Sequence, residues 1–239
     1  MDVLGDLVAR SRRSADDALL VPALGRTYDY RRFCTNAWKV GNFLRHLGVR
    51  GGRDVALVGR GRPEPVLSLY GAALLGATVS FDPPATVPTE TRALVTPTDR
   101  LGDYAVDAVT KRVAYGDAPE DPDVAYFERD VWSENPTEPP DRVEPDGAAL
   151  RGADGRTYTH REVLDAAARV AEEWHLGPED SVAVRAPLSE PGTVVAGLVA
   201  PLLVGGSILL PDEGAVGEFA VADGDAPESD VVAPESVFD

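Results

Sequence analysis

The chain has 239 residues, 23 basic and 40 acidic, for a formal net charge of −17. With no basic stripe to neutralise phosphates, nucleic-acid binding is disfavoured. A single cysteine, Cys34, rules out an internal disulfide and a Cys-x-x-Cys metal site. Lysine is confined to Lys39 and Lys111, and the carboxylates are scattered along the chain. Dispersed charge of this kind fits a halophilic, acidic surface adapted to very high salt, where screening removes its self-repulsion; a cationic partner is the alternative. The first residues, MDVLGDLVARSRR, carry no apolar signal-peptide core, so the expected location is cytoplasmic.

In chain order, 4–13 reads as a short amphipathic helix, and 18–21 and 26–30 as small strands joined through Pro22 and Gly25. Phe33, Cys34, Ala37, Val40, Gly41, Leu44 and Leu47 recur at helical spacing, and Gly48 stops that helix. A strand at 54–58, a helix at 64–75 and a strand at 77–81 follow, in the order that builds a parallel sheet. The middle, 84–148, is less regular: a strand near 93–96, a helix at 99–109, a strand at 112–115, and loops rich in Pro, Asp and Glu at 117–123 and 135–147. A strand at 148–151, a turn at 152–155 and a helix at 159–174 open the second half. Strands at 181–184 and 207–210 flank a helix at 193–204. The apolar run 193–211 approaches the length of a membrane span, but Gly205-Gly206 divides it into helix and strand, and no basic residues flank it. Beyond Pro211 the chain is small and acidic; 219–221 and 231–232 read as short strands or as a frayed tail.

The second half echoes the first. GRTYDYRRFCTNAWKVGNFLRHL at 25–47 and GRTYTHREVLDAAARVAEEWHL at 155–176 share a tetrapeptide and a helical stripe. Val163, Leu164, Ala167, Val170, Ala171 and Trp174 match Phe33, Cys34, Ala37, Val40, Gly41 and Leu44 one for one. Segments 54–84 and 180–211 then repeat strand, helix, glycine turn and strand. The expected fold is α/β, with two pseudo-symmetric repeated subdomains of mostly parallel sheet flanked by helices. The first covers 1–140, the second 148–211, and an acidic segment covers 212–239.

The run RTYDYRRFCTNAWKVGNFLRHLGVRGGRDVALVGRGRPEPVLSLYGAALLGATVSFDPP resembles the opening of the acyl-adenylate-forming ligases, the AMP-binding acyl-CoA synthetase superfamily. THREVLDAAARVAEEWHLGPEDSVAVRAPLSEPGTVVAGLVAPLLVGGSILLP is similar to the segment after that superfamily's phosphate loop. The resemblance spans roughly 4–211 and implies ATP-dependent activation of a carboxylate. Its phosphate loop is Ser/Thr/Gly-rich and ends in Pro-Lys-Gly; the matching stretch here is LRGADGRTYTH at 150–160, with no lysine. The resemblance therefore places the remnant loop at Gly152, Gly155, Arg156, Thr157 and Thr159. Because GRTY also occurs at 25–28, a turn and strand internal to the repeat is the plainer reading. Where the superfamily has Pro-Leu-aromatic-His, the chain has Pro187-Leu188-Ser189-Glu190, and its later adenine, ribose and lysine-lid segments lie beyond the sequence.

Other chemistry finds little purchase. His46, His160 and His175 lack metal-ligand spacing, Cys34 sits on a core stripe, and no Gly-x-Ser-x-Gly elbow exists. Gly59–Gly61 follows a strand but lacks the full dinucleotide fingerprint. The expectation is a non-catalytic relative of the ligases with no catalytic or metal residues and no cofactor, ATP or AMP being the exception to test. The alternative is one chain of a split acyl-CoA synthetase, with a complementary or full-length ligase chain as partner.

Overall fold

The computed structural model describes residues 1–238. Strands β1 (Asp17–Val21) and β2 (Arg26–Asp29) form a hairpin, followed by helix α1 (Tyr30–His46), β3 (Asp54–Leu57), α2 (Pro63–Ala73) and β4 (Thr78–Phe81). Then come β5 (Thr91–Pro97), β6 (Lys111–Tyr115), β7 (Ala125–Tyr126) and the single turn α3 (Phe127–Asp130). The second half runs β8 (Ala148–Arg151), β9 (Thr157–Thr159), α4 (His160–Glu173), β10 (Ser181–Val184), α5 (Pro191–Val194), a π-helical turn Val195–Val199, α6 (Ala200–Val204), β11 (Ser207–Leu209), β12 (Phe219–Val221) and β13 (Asp230–Val232).

Local chemistry explains where the long helices start. The Asp29 carboxylate accepts the Arg32 N–H at 2.6 Å to cap α1. Thr159 and Glu162 form a reciprocal capping box at α4. Each helix presents a buried apolar stripe, and α1 ends in a turn where Gly48 takes φ +86°.

The sheets are mostly parallel and flanked by helices, so the fold is α/β. One has the order β13-β12-β10-β11-β1-β2, the other β7-β6-β5-β3-β4-β8-β9. In each, a hairpin from one half of the chain closes the edge of the other half's sheet. β1 lies parallel to β11 (Leu19 opposite Ile208), and β8 parallel to β4 (Val79 opposite Leu150). Without this exchange β4 and β11 would each present a row of unpaired backbone groups. Segments 1–140 and 148–211 therefore do not each carry a self-contained sheet. The segment 212–239, within its described residues, supplies β12 and β13 to the first sheet; Asp239 lies outside the described residues.

Between the sheets, α2 is buried along its whole length, as is the π-helical turn. The Tyr70 hydroxyl donates to the Leu198 carbonyl at 2.6 Å, and Phe33 meets the Tyr70 ring edge-on at 5.3 Å. α1 and α2 approach so closely that a Cβ on Gly71 would stand 2.7 Å from Val40 Cγ1.

Three expected elements differ. Residues 4–13 form two 3₁₀ turns, Leu4–Val8 and Arg10–Arg12, rather than one helix. There Arg10 and Arg13 lie over Trp38 while Arg12 lies over Tyr30 and donates to the Leu202 carbonyl. The helix expected at 99–109 is a 3₁₀ turn, Thr98–Asp103, followed by irregular chain. The helix expected at 193–204 widens through Val195–Val199, because Pro201 has no N–H to continue the α ladder.

Candidate functional site

The five residues of the remnant loop come together at the second hairpin. Arg151 pairs with Thr157 across the β8–β9 ladder. Inside the turn the Gly152 N–H donates to the Arg156 carbonyl at 2.9 Å, and the Gly155 N–H to the Gly152 carbonyl at 3.0 Å. The Arg156 N–H donates to Asp154 Oδ1 at 2.9 Å. Gly155 takes φ +82°, which a side chain would strain. The Thr157 hydroxyl accepts from Arg151 at 3.3 Å. The Thr159 N–H and hydroxyl both donate to Glu162 Oε2, at 2.8 and 2.9 Å. Hydrogen bonds from Thr159 hold the Glu162 carboxyl below the usual range. The N–H groups of Gly152, Gly155, Arg156 and Thr159 are thus spent within the hairpin and its cap, and a phosphate would have to displace these bonds.

The hairpin is also covered. Phe238 stacks on Tyr158 with ring centroids 4.2 Å apart, and the Arg156 guanidinium lies 4.7 Å from the Tyr158 ring. A Cβ on Gly152 would stand 3.0 Å from Pro191 Cγ, so the turn abuts the start of α5. There Gly192 packs against the Pro234 carbonyl, where a Cβ would fall 1.9 Å away. Glu190, in the Pro187–Glu190 segment, has its carboxyl raised by burial and then by the charges of Asp223 and Glu235. Asp154, in the turn itself, adds a carboxylate beside the Arg151 and Arg156 side chains.

The other sequence candidates scatter. His160 opens α4 in full burial, and its Nδ1 accepts the Leu4 N–H at 3.2 Å. Burial pushes its imidazole down to about 4. That hydrogen bond puts the proton on Nε2, which has no hydrogen-bond partner among the described residues. Tyr30 holds the corresponding position in α1 and donates to the Gly206 carbonyl at 2.7 Å. His46 pairs with Glu134 at 2.8 Å, and His175 terminates α4 at φ +51°. Burial pushes the Cys34 thiol up to about 11, which makes it a poor nucleophile. Among the described residues no group of three or more His, Cys, Asp or Glu could hold a metal ion. No helix among them is long and apolar enough to cross a membrane.

The loops after β3 and β10 meet, a feature the sequence reading missed. Arg60, in the Gly59–Gly61 segment, donates to the Arg185 carbonyl at 3.0 Å. Arg185 clasps the buried Glu228 through Nε and Nη2, at 2.8 and 2.6 Å. Burial works against the Glu228 charge, but the Arg185 and Gly217 hydrogen bonds hold its carboxyl below the usual range. Only the strand order could have shown that these loops are neighbours.

No family profile matches the chain, and no curated protein matches it. Solved structures do. A crystal structure of the anthranilate CoA ligase AuaEII in complex with anthranoyl-AMP superposes with TM-score 0.76 at 20% identity, over 92% of this chain and 49% of the ligase. The nonribosomal peptide synthetase FmoA3, bound to α-methyl-L-serine-AMP, gives 0.72 at 19% identity, over 88% of this chain and 24% of that one. The N-terminal domain of FACL13 from Mycobacterium tuberculosis gives 0.72 at 17% identity, over 93% of this chain and 63% of that structure. The chain therefore spans less than two thirds of the length of each of these three. At such identities the likeness shows the fold alone, and that fold is the one shared by acyl-CoA ligases and peptide-synthetase adenylation domains.

Proposed function

We propose that the chain is a non-catalytic relative of the acyl-CoA ligases, a binding or regulatory protein that kept the two-lobed scaffold without the triphosphate grip. The observation that carries this reading is the second hairpin. Its Gly152, Gly155, Arg156 and Thr159 N–H groups bond internally, Asp154 takes one of them, and Glu190, next to the Pro191 that the turn abuts, has its carboxyl raised by burial and then by the charges of Asp223 and Glu235. Phosphoryl transfer needs preorganised positive groups where charge develops, and Arg156 is turned onto Tyr158 instead. The proposal extends to a cytoplasmic protein adapted to concentrated salt, as the dispersed charge of −17 suggests. The test is ATP-to-AMP exchange with a panel of carboxylic acids in 2–3 M KCl, a range chosen to cover strong screening. Release of pyrophosphate with any acid would overturn it, and its absence together with no calorimetric signal for ATP is the expected result.

A second reading, one chain of a split acyl-CoA synthetase, draws on the preserved strand order of both sheets. It requires a complementary lid-bearing partner, and co-purification with such a chain followed by restored adenylation would favour it over the first.

A further inference from the structure

The two hairpins offer the GRTY tyrosine to different surroundings. At the second, the trailing segment of the other lobe lays Phe238 flat on Tyr158. At the first, the corresponding trailing aromatic is Trp132, just after α3, and it stands off. A groove of about 440 Å³ opens there between Arg26, Thr27, Tyr28, Arg32, Asn36 and Trp132. Trp132 remains 38% exposed, while its backbone is fixed by a hydrogen bond from Lys39 Nζ to its carbonyl at 2.7 Å and its ring is braced edge-on by Phe127 at 5.9 Å. Arg32 is held over the Tyr28 ring at 5.3 Å and donates to the Thr27 carbonyl at 3.3 Å.

The electrostatics are out of keeping with the rest of the chain. Although the chain carries 40 carboxylate residues, none lines this groove. Among the described residues neither Arg26 nor Arg32 forms an ion pair. The Asn36 amide makes no hydrogen bond to a described side chain or backbone group, which leaves both its donor and its acceptor available at the groove. Two guanidinium groups without an ion-pair partner among the described residues, one of them steadied by the Tyr28 ring and the Thr27 carbonyl, an amide and a braced indole face form a complete set for a ring that bears a negative group.

We propose that this groove binds a small aromatic anion, its ring against Trp132 and its carboxylate or phosphate between Arg26 and Arg32. The site lies on the first hairpin and does not depend on the second hairpin's lost phosphate grip. The experiment is calorimetry with Trp132 fluorescence on the full chain, at the lowest salt that preserves its circular dichroism. Benzoate and AMP are the charged probes and separate an aryl carboxylate from a nucleotide; benzyl alcohol lacks the charge and inorganic phosphate lacks the ring. At least one charged ring should bind saturably and at least tenfold more tightly than either control. Trp132→Ala and the double substitution Arg26→Ala with Arg32→Ala should each weaken it tenfold or more while keeping the fold. Failure of both charged probes, equal binding of inorganic phosphate, or indifference to both variants would overturn the proposal. So would a loss seen only in Arg156→Ala, which would move the ligand to the second hairpin.

Discussion

The first and second hairpins carry the same tetrapeptide and each lead into a capped helix, yet one is open and the other shut. Each is followed by a helix capped by its own strand end, Asp29 in one case and Thr159 in the other. Each faces an aromatic residue from the opposite lobe, but Phe238 closes on Tyr158 whereas Trp132 leaves Tyr28 beside a groove. The difference teaches that the local sequence sets the hairpin and that distant chain sets what the hairpin can bind.

The largest test concerns the residue after each cap. Tyr30 completes a hydrogen bond to Gly206, whereas His160 is buried neutral. A histidine held down to about 4 when folded and near 6.5 when unfolded contributes stability that is fully present above 6.5. As pH falls from 6.5 toward 4 the unfolded chain binds the proton first, so this contribution is lost, by about 3 kcal/mol at most. Urea unfolding across that range should show the free-energy gap between wild type and His160→Phe shrinking by this amount. A constant gap would mean that folding does not hold the His160 imidazole below its ordinary value.

Next in size is the lock on the second hairpin. Gly192→Ala puts a methyl group where the Pro234 carbonyl sits, at 1.9 Å, and overpacking of that kind costs about 1–3 kcal/mol. The expected outcome is a lowered urea midpoint, with the trailing segment and Tyr158 becoming more accessible to proteolysis and to tyrosine-selective chemistry. Retention of the wild-type midpoint and of Tyr158 protection would show that the second hairpin stays shut without this contact.

The caps should differ least. Thr159→Ala removes the hydroxyl that accepts from the Glu162 N–H and donates to Glu162 Oε2, leaving the Thr159 N–H bond to that carboxylate in place, while Asp29→Ala removes a single acceptor. Each should cost about 1 kcal/mol, with Thr159→Ala the larger, read from thermal or urea unfolding of the paired variants.

Much of the fold was legible because its signals are local. The buried strand expected at 54–58 is Asp54–Leu57, and the helix expected at 159–174 is His160–Glu173, capped by Thr159. The 3₁₀ turns at 4–13 were not legible, since they answer to Trp38, Tyr30 and the Leu202 carbonyl far along the chain. The exchange of hairpins was hidden too, because a short two-stranded ribbon reads alike whichever sheet it joins. At the candidate site, the resemblance to the ligases placed Gly152, Gly155, Arg156, Thr157 and Thr159 together, and they lie on the turn and the strand that follows it. Phe238, which covers Tyr158, Pro234, which packs on Gly192, and Asp223 and Glu235, whose charges reach Glu190, lie too far off in sequence for any pattern to bring them near.

The crossing of β1–β2 into the far sheet sets an order on the birth of the protein. Leu19 and Leu20 pair with Ile208 and Leu209, so the first hairpin to leave the ribosome has no sheet to join until most of the chain has followed. Contacts of such long reach are slow to form and expose apolar ribbon in the meantime. The two lobes, each sealed by the other's hairpin, should therefore melt together in a single transition.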